Sequence, residues 1–371
     1  MSNLIDEFNN ARLKVQSDQY PMSIGELSNL YDDGDLDIHP DFQRIYRWSS
    51  EQKSKLIESI LLSIPLPSIF VSQREDGVWD VVDGVQRIST ILSFMGKLKD
   101  SNGEIQPALE LESTKYLPSL KGKKWSDDSV DGEIDQEIKR VFKREKIDIK
   151  IIKRESEDDT KFELFQRLNT GGSKLSDQEV RNCMLLMLNA NAYNWLKGLA
   201  EDKCFLSTTP VSERQKRECY GQELALRFFV QRFSSEEIRA EHKDIGAYIS
   251  AEMNRLLSKD SGFDFDKEEE LFKKTFKLID AACDESAFKK YNHIKERYEG
   301  AVSVTVYEAV AAPVSVLIEK NSKSDEEIIE LIRSETKALT NHDDYKNIIE
   351  KSVRPVDRMI RLNKLGKELI C

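Results

Sequence analysis

The spacing of apolar positions changes character near residue 155. Before that point, short alternating runs are mixed with helix-spaced ones; from about 157 onward a 3.6-residue period dominates nearly to the end. Leu4, Ile5, Phe8 and Ala11 share one helical face and predict an amphipathic helix over 1–18. Ser23 and Glu26 have the spacing of a capping box and open a short helix through Leu30 and Tyr31. Ser49 and Gln52 repeat the signal for a helix through Leu56, Ile57, Ile60 and Leu61 that Pro65 ends. Strands over 68–73 and 78–82 flank Glu75-Asp76-Gly77, a hairpin turn, and the second leads through Asp83-Gly84 directly into a helix over 86–98. Residues 99–135 are polar and rich in Gly and Ser, predicting an irregular excursion, and 146–154 alternates as a strand. Helices are then predicted over 158–169, 177–197, 213–233, 235–258, 265–286, 302–320, 325–338 and 355–369. The pattern is α+β: an α/β N-terminal domain followed by an all-helical C-terminal region.

Composition narrows the class. With 56 basic and 67 acidic residues the net charge is −11, which argues against coating nucleic acid along the whole surface while leaving room for a local basic groove. No apolar run approaches the roughly 18 residues of a membrane span, and the N-terminus lacks a basic region followed by an apolar stretch. Five cysteines without a Cys-x-x-Cys pair fit reduced thiols, and the expected location is the cytoplasm. There is no P-loop, no Gly-x-Gly fingerprint, no His-Glu-x-x-His and no Gly-x-Ser-x-Gly. The four histidines are scattered, with no second metal ligand at a useful spacing.

Three segments carry chemistry. In 81–87 an apolar strand breaks at Asp83-Gly84 and a helix starts at once. Free amides at the positive end of a helix, a permissive glycine and Arg87 in the first turn make an anion site; Asp83 can cap the helix or hold Mg²⁺. An ordinary strand–turn–helix connection explains the same residues equally well. In 39–48, beginning at His39, Arg44 can clamp a phosphate and Phe42, Tyr46 or Trp48 can stack a base. The alternative places Phe42 and Trp48 in the core with solvated arginines. In 165–179 one helix ends at Asn169-Thr170-Gly171-Gly172 and a Ser176/Glu179 capping box starts another; a plain helical connection accounts for those residues but leaves Arg167 and Asn169 unexplained.

Together these segments resemble the N-terminal domain family of GmrSD-type restriction endonucleases, whose core is similar to the ParB/sulfiredoxin fold. The resemblance covers roughly 20–230 and rests on Pro40-Asp41-Phe42-Gln43-Arg44-Ile45-Tyr46-Arg47-Trp48, Ile64-Pro65-Leu66-Pro67, Asp83-Gly84-Val85-Gln86-Arg87 and Phe165-Gln166-Arg167-Leu168-Asn169-Thr170-Gly171. It implies a ParB/sulfiredoxin-like nucleotide-binding core over 1–155, a helical continuation over 156–235 and a helical C-terminal region over 236–371. In the family the Asp-Gly-Gln-Gln-Arg motif is associated with nucleotide binding and NTP hydrolysis, which carries over to Asp83, Gly84, Gln86 and Arg87. Val85 stands where the family has its first Gln; an apolar side chain cannot orient water, so the departure weakens hydrolysis more than binding. Family members commonly continue into a histidine-metal nuclease domain, whereas this chain shows a helical region without that cluster. The resemblance thus implies a sensor or regulatory half working with a separately encoded effector, such as a nuclease or ATPase.

The leading expectation is an NTP-binding protein, with Mg²⁺ arriving on the nucleotide, that couples nucleotide state to foreign or modified DNA in phage defence. Asp83, Gln86 and Arg87 would form the catalytic set, with Asp83 on the metal, and Gln43, Arg44, Gly84, Arg167 and Asn169 would bind nucleotide. DNA contacts would come from 139–154, with eight basic and two acidic residues including Lys139, Arg140, Lys143 and Arg144, or from Arg354, Arg358 and Arg361 on the last helix. Either segment is equally a solvated face. A non-catalytic DNA-binding or protein-interaction adaptor is the alternative, and a metal-dependent nuclease built on Asp135, Asp148 and Lys150 the third reading.

Overall fold

The computed structural model describes residues 17–38, 48–74, 76–100, 102–126, 132–153, 176–259, 261–350 and 353–371. The chain divides into two compact units, Met1–Lys174 and Leu175–Cys371. The architecture is α+β: a five-stranded mixed sheet with helices in the first unit and a helical second unit.

In the first unit β1 (Ser17–Ser23) leads into α1 (Ile24–Asp33), then β2 (Leu36–Asp37), α2 (Ser50–Leu61), β3 (Ile69–Gln73), β4 (Trp79–Asp83), α3 (Val85–Phe94), α4 (Gln136–Arg144) and β5 (Lys146–Ile152). Strand order is β1-β5-β3-β4-β2, with β1/β5 and β3/β4 antiparallel and β3/β5 and β2/β4 parallel. The helix expected over 1–18 is corrected at its end, because Ser17 and Asp18 belong to β1; the remainder lies outside the described residues. Ile69, Val71, Val81, Ile147 and Ile149 alternate into a core closed by Ile57 and Ile60 of α2 and Ile88, Ile91 and Phe94 of α3. The hairpin falls as expected, with Gly77 at φ 92° in its turn.

Ser49 and Gln52 form a complete capping box at α2, and Ser23 accepts from the Glu26 amide at α1. Helix α2 stops at Leu61, before Pro65, where Ser63 takes a left-handed conformation at φ 52°. The irregular stretch after α3 is pinned to α2: Ser54 Oγ accepts from the Glu112 amide at 2.8 Å, and Glu58 accepts from the Tyr116 and Leu117 amides at 2.7 and 2.9 Å.

The second unit contains α5 (Asp177–Leu188), α6 (Ala190–Ala200), α7 (Lys203–Thr208), α8 (Glu213–Arg217), α9 (Tyr220–Phe233), α10 (Glu236–Glu241), α11 (Ile245–Leu257) and α12 (Phe265–Cys283). A small hairpin, β6 (Lys290–Asn292) with β7 (Arg297–Glu299), precedes α13 (Val304–Lys320), α14 (Asp325–Leu339), α15 (Asp343–Glu350) and α16 (Pro355–Ile370). Three long helices expected from periodicity are each broken in two, at Asn189, around Cys219 and at 242–244. The expected helix over 158–169 lies outside the described residues. Phe205, Phe228, Phe229, Phe272, Phe276 and Tyr307 form an aromatic core. Among the described residues no helix is long and apolar enough to cross a membrane.

Candidate functional site

The best-defined candidate lies where β4 passes into α3. Gly84 is the N-cap residue at φ 101°, a conformation other residues enter only with strain, and a Cβ there would sit 2.8 Å from Ile69 Cγ1. The sharp turn delivers the start of α3 with no side-chain cap on its first-turn amides and no acidic residue in that turn. Those amides and the helix dipole form a positive pole.

Asp83 does not cap the helix. Its Oδ2 accepts from Arg87 Nη2 at 2.7 Å, one helical turn on, while the side chain stays 48% exposed. Arg87 is only 12% exposed, and its Nη1 donates to the carbonyls of Pro67 and, at 3.2 Å, Ser68. The guanidinium therefore clamps the approach to β3 against the start of α3. Gln86 Oε1 accepts from the Trp48 amide at 3.4 Å, which brings the end of the 39–48 segment to the first turn of α3. Val85 is buried, consistent with a packing role.

His39, Phe42, Gln43, Arg44, Tyr46, Arg167 and Asn169 lie outside the described residues. Asp83 is an exposed carboxylate ion-paired with Arg87. It does not make a resident ion site: among the described residues no three His, Cys, Asp or Glu side chains stand together as metal ligands.

The basic candidates divide. Lys139 is buried, ion-paired with Glu133 and 5.6 Å from the Trp125 ring, whereas Arg140, Lys143 and Arg144 are exposed, Lys143 with its Nζ 5.8 Å from the same ring. Arg354 and Arg361 are exposed, but Arg358 is half-buried and its Nε is buried without a hydrogen-bond partner. Asp135 precedes α4; Asp148 and Lys150 share the face of β5 opposite Ile147 and Ile149, with Lys150 Nζ 5.1 Å from the Phe70 ring.

Sequence reasoning missed two charged clusters. Arg74 donates to both oxygens of buried Asp80 and, at 2.7 Å, to Asp37, tying together β3, β4 and β2. In the helical unit Arg181 donates to Glu223 at 2.9 Å, and Arg227 bridges Glu223 and Glu308, the latter at 2.9 Å. Asp80 within an apolar strand and Glu308 within an apolar helix were the available signals.

The first unit is thus an α+β domain with a strand–glycine–helix turn braced by an Asp–Arg pair. The family model for the N-terminal domain of GmrSD restriction endonucleases matches residues 24–186. Curated proteins and solved structures give no match to the chain.

Proposed function

We propose that the chain is a nucleotide-binding regulatory component of a restriction-type phage-defence system, acting on foreign or modified DNA together with a separately encoded effector, a nuclease or an ATPase. The observation that carries the reading is the start of α3: a glycine-shaped turn with uncapped amides and the exposed carboxylate of Asp83 beside it. A nucleotide phosphate would lie on the amides of the first turn, with Asp83 reaching the Mg²⁺ that accompanies it. When bound, the metal would neutralise phosphate charge. Gln86, within reach of Trp48, would orient the ligand, and Gln43, Arg44, Arg167 and Asn169 are the side chains proposed to complete the contacts.

We favour binding over turnover. Val85 is apolar and buried, and the donors of Arg87 are engaged with Asp83, Pro67 and Ser68, so stabilising a transition state would require the guanidinium to leave those partners. The same bracing supports the second reading, an adaptor in which Arg87 only fastens the turn.

The deciding measurement is thermal stability with each common NTP and Mg²⁺, for wild type, Asp83→Asn and Gln86→Ala, each against its own ligand-free baseline. A ligand held at one hundred times its Kd adds about 2.7 kcal/mol to the native state. Stabilisation by a nucleotide in wild type, reduced in both variants, supports the site. No stabilisation of wild type by any nucleotide supports the adaptor.

A further inference from the structure

In the helical unit, the end of α10, the 242–244 link and the start of α16 surround an open concavity of ≈ 430 Å³. Among the described residues, Arg239, His242, Lys243 and Arg354 line it, with Asp357 as the one carboxylate. Arg239 Nη2 donates to Asp357 at 3.1 Å. Among the described residues no hydrogen bond or ion pair engages the exposed side chains of Lys243 and Arg354.

From this geometry we propose a phosphodiester-binding site: the concavity takes a backbone phosphate of duplex DNA, independently of sequence. Three permanent cations face one carboxylate, so the lining attracts an anion even with His242 neutral. The first turn of α16 adds its positive pole, with Arg354 as N-cap, Pro355 following and no side-chain cap on the amides. Arginine forks and a helix N-terminus match the tetrahedral oxygens of a phosphate. Among the described residues the apolar lining is Ala240 and Val356, with no aromatic ring to stack a base, which favours a backbone phosphate over a nucleotide. Arg361, exposed about 10 Å further along α16, extends the positive charge towards a neighbouring phosphate. The proposal rests on the DNA-directed part of the function proposed above and is independent of nucleotide binding at Asp83–Arg87.

The test uses the full chain and a short fluorescent DNA duplex of arbitrary sequence, with affinity read by anisotropy between about 50 and about 200 mM salt. Lys243→Glu/Arg354→Glu is compared with wild type, and Lys243→Gln/Arg354→Gln serves as a charge-neutral pair whose unchanged melting temperature shows that the unit is folded. Expected is a loss of at least about tenfold in the charge-reversed pair, an intermediate loss in the neutral pair, and a salt slope smaller by about 0.9 for each phosphate contact removed. Wild-type binding with the same affinity and slope in all variants would overturn this site while leaving a DNA-directed function intact. No duplex binding by wild type would overturn both. Binding of a fluorescent nucleotide that is lost in the charge-reversed pair, with no duplex bound, would reassign the pocket to a nucleotide phosphate and overturn the backbone assignment.

Discussion

Gly84 and Arg87 do different jobs within one turn, and substitution separates them. A side chain at position 84 meets both a φ of 101° and Ile69 Cγ1 at 2.8 Å, so Gly84→Ala should cost about 1–3 kcal/mol, read as a lower denaturant midpoint with an unchanged slope. Arg87→Lys keeps the charge but loses the fork that reaches Asp83, Pro67 and Ser68 together. It should be destabilised by about 1–3 kcal/mol, nearly as much as Arg87→Met; full retention of wild-type stability by the lysine would show that charge alone matters. The break at Asp83-Gly84 and the helix after it were legible in the sequence, because Gly ending an apolar strand has a local cause. The partners of Arg87 were not: two are backbone carbonyls about twenty positions upstream, brought alongside only by the pairing of β3 with β4. Buried Asp80 follows the same rule, since its partner Arg74 becomes a neighbour only across the hairpin.

At the scale of elements, the capping boxes and the strands with clear alternation were readable, whereas the breaks at Asn189, Cys219 and 242–244 and the strands without a pattern of their own were not. The boxes at Ser49/Gln52 and Ser176/Glu179 form as spaced, each satisfying donors within its own first turn. Strand β1 carries polar residues and Pro21 and has no strand pattern of its own; it exists because it lies at the sheet edge against β5, where a missing N–H is tolerated. Strand β2 is two residues long and is defined only by its pairing with β4. Among the described helices, α16 packs tightly on α13 through Gly366. A Cβ at Gly366 would lie 1.8 Å from the Ala309 carbonyl oxygen and 2.7 Å from Pro313 Cγ, so Gly366→Ala must push the two helices apart. The expected cost is about 3 kcal/mol. Gly198→Ala in α6 is the matched control: nothing stands within 4 Å of its Cβ, and removing a helical glycine should raise stability by up to about 1 kcal/mol. Chemical denaturation of the pair tests whether backbone contact, and not helix propensity, accounts for Gly366.

At the scale of the whole molecule, each unit buries a carboxylate beside an arginine. The first places Asp80 against Arg74; the second buries Glu308 in the middle of α13 against Arg227. Glu308 is 0% exposed, one oxygen accepts from Arg227 and the other has no hydrogen-bond partner. Burial pushes its carboxyl up to about 7, against the opposing pull of Arg227 and Arg358 and with a smaller upward push from Glu223. A folded-state value above the ordinary carboxylate value means that the native state holds this proton longer than the unfolded chain does. The stabilisation linked to that proton is complete below about 4.5 and is lost as pH rises through about 7, a difference of about 3 kcal/mol. Glu308→Gln fills the same space but does not titrate. Subtracting its stability profile from the wild-type profile between these pH values cancels the surface carboxylates and histidines common to both, leaving a difference that should fall with rising pH and level off above about 7. A flat difference would place Glu308 permanently in its ion pair with Arg227, making the chain of charges from Arg181 through Glu223 and Arg227 a fixed strut. A falling one would make the same chain a proton-sensitive joint between α9 and α13, tying the stability of the helical unit to pH near neutrality.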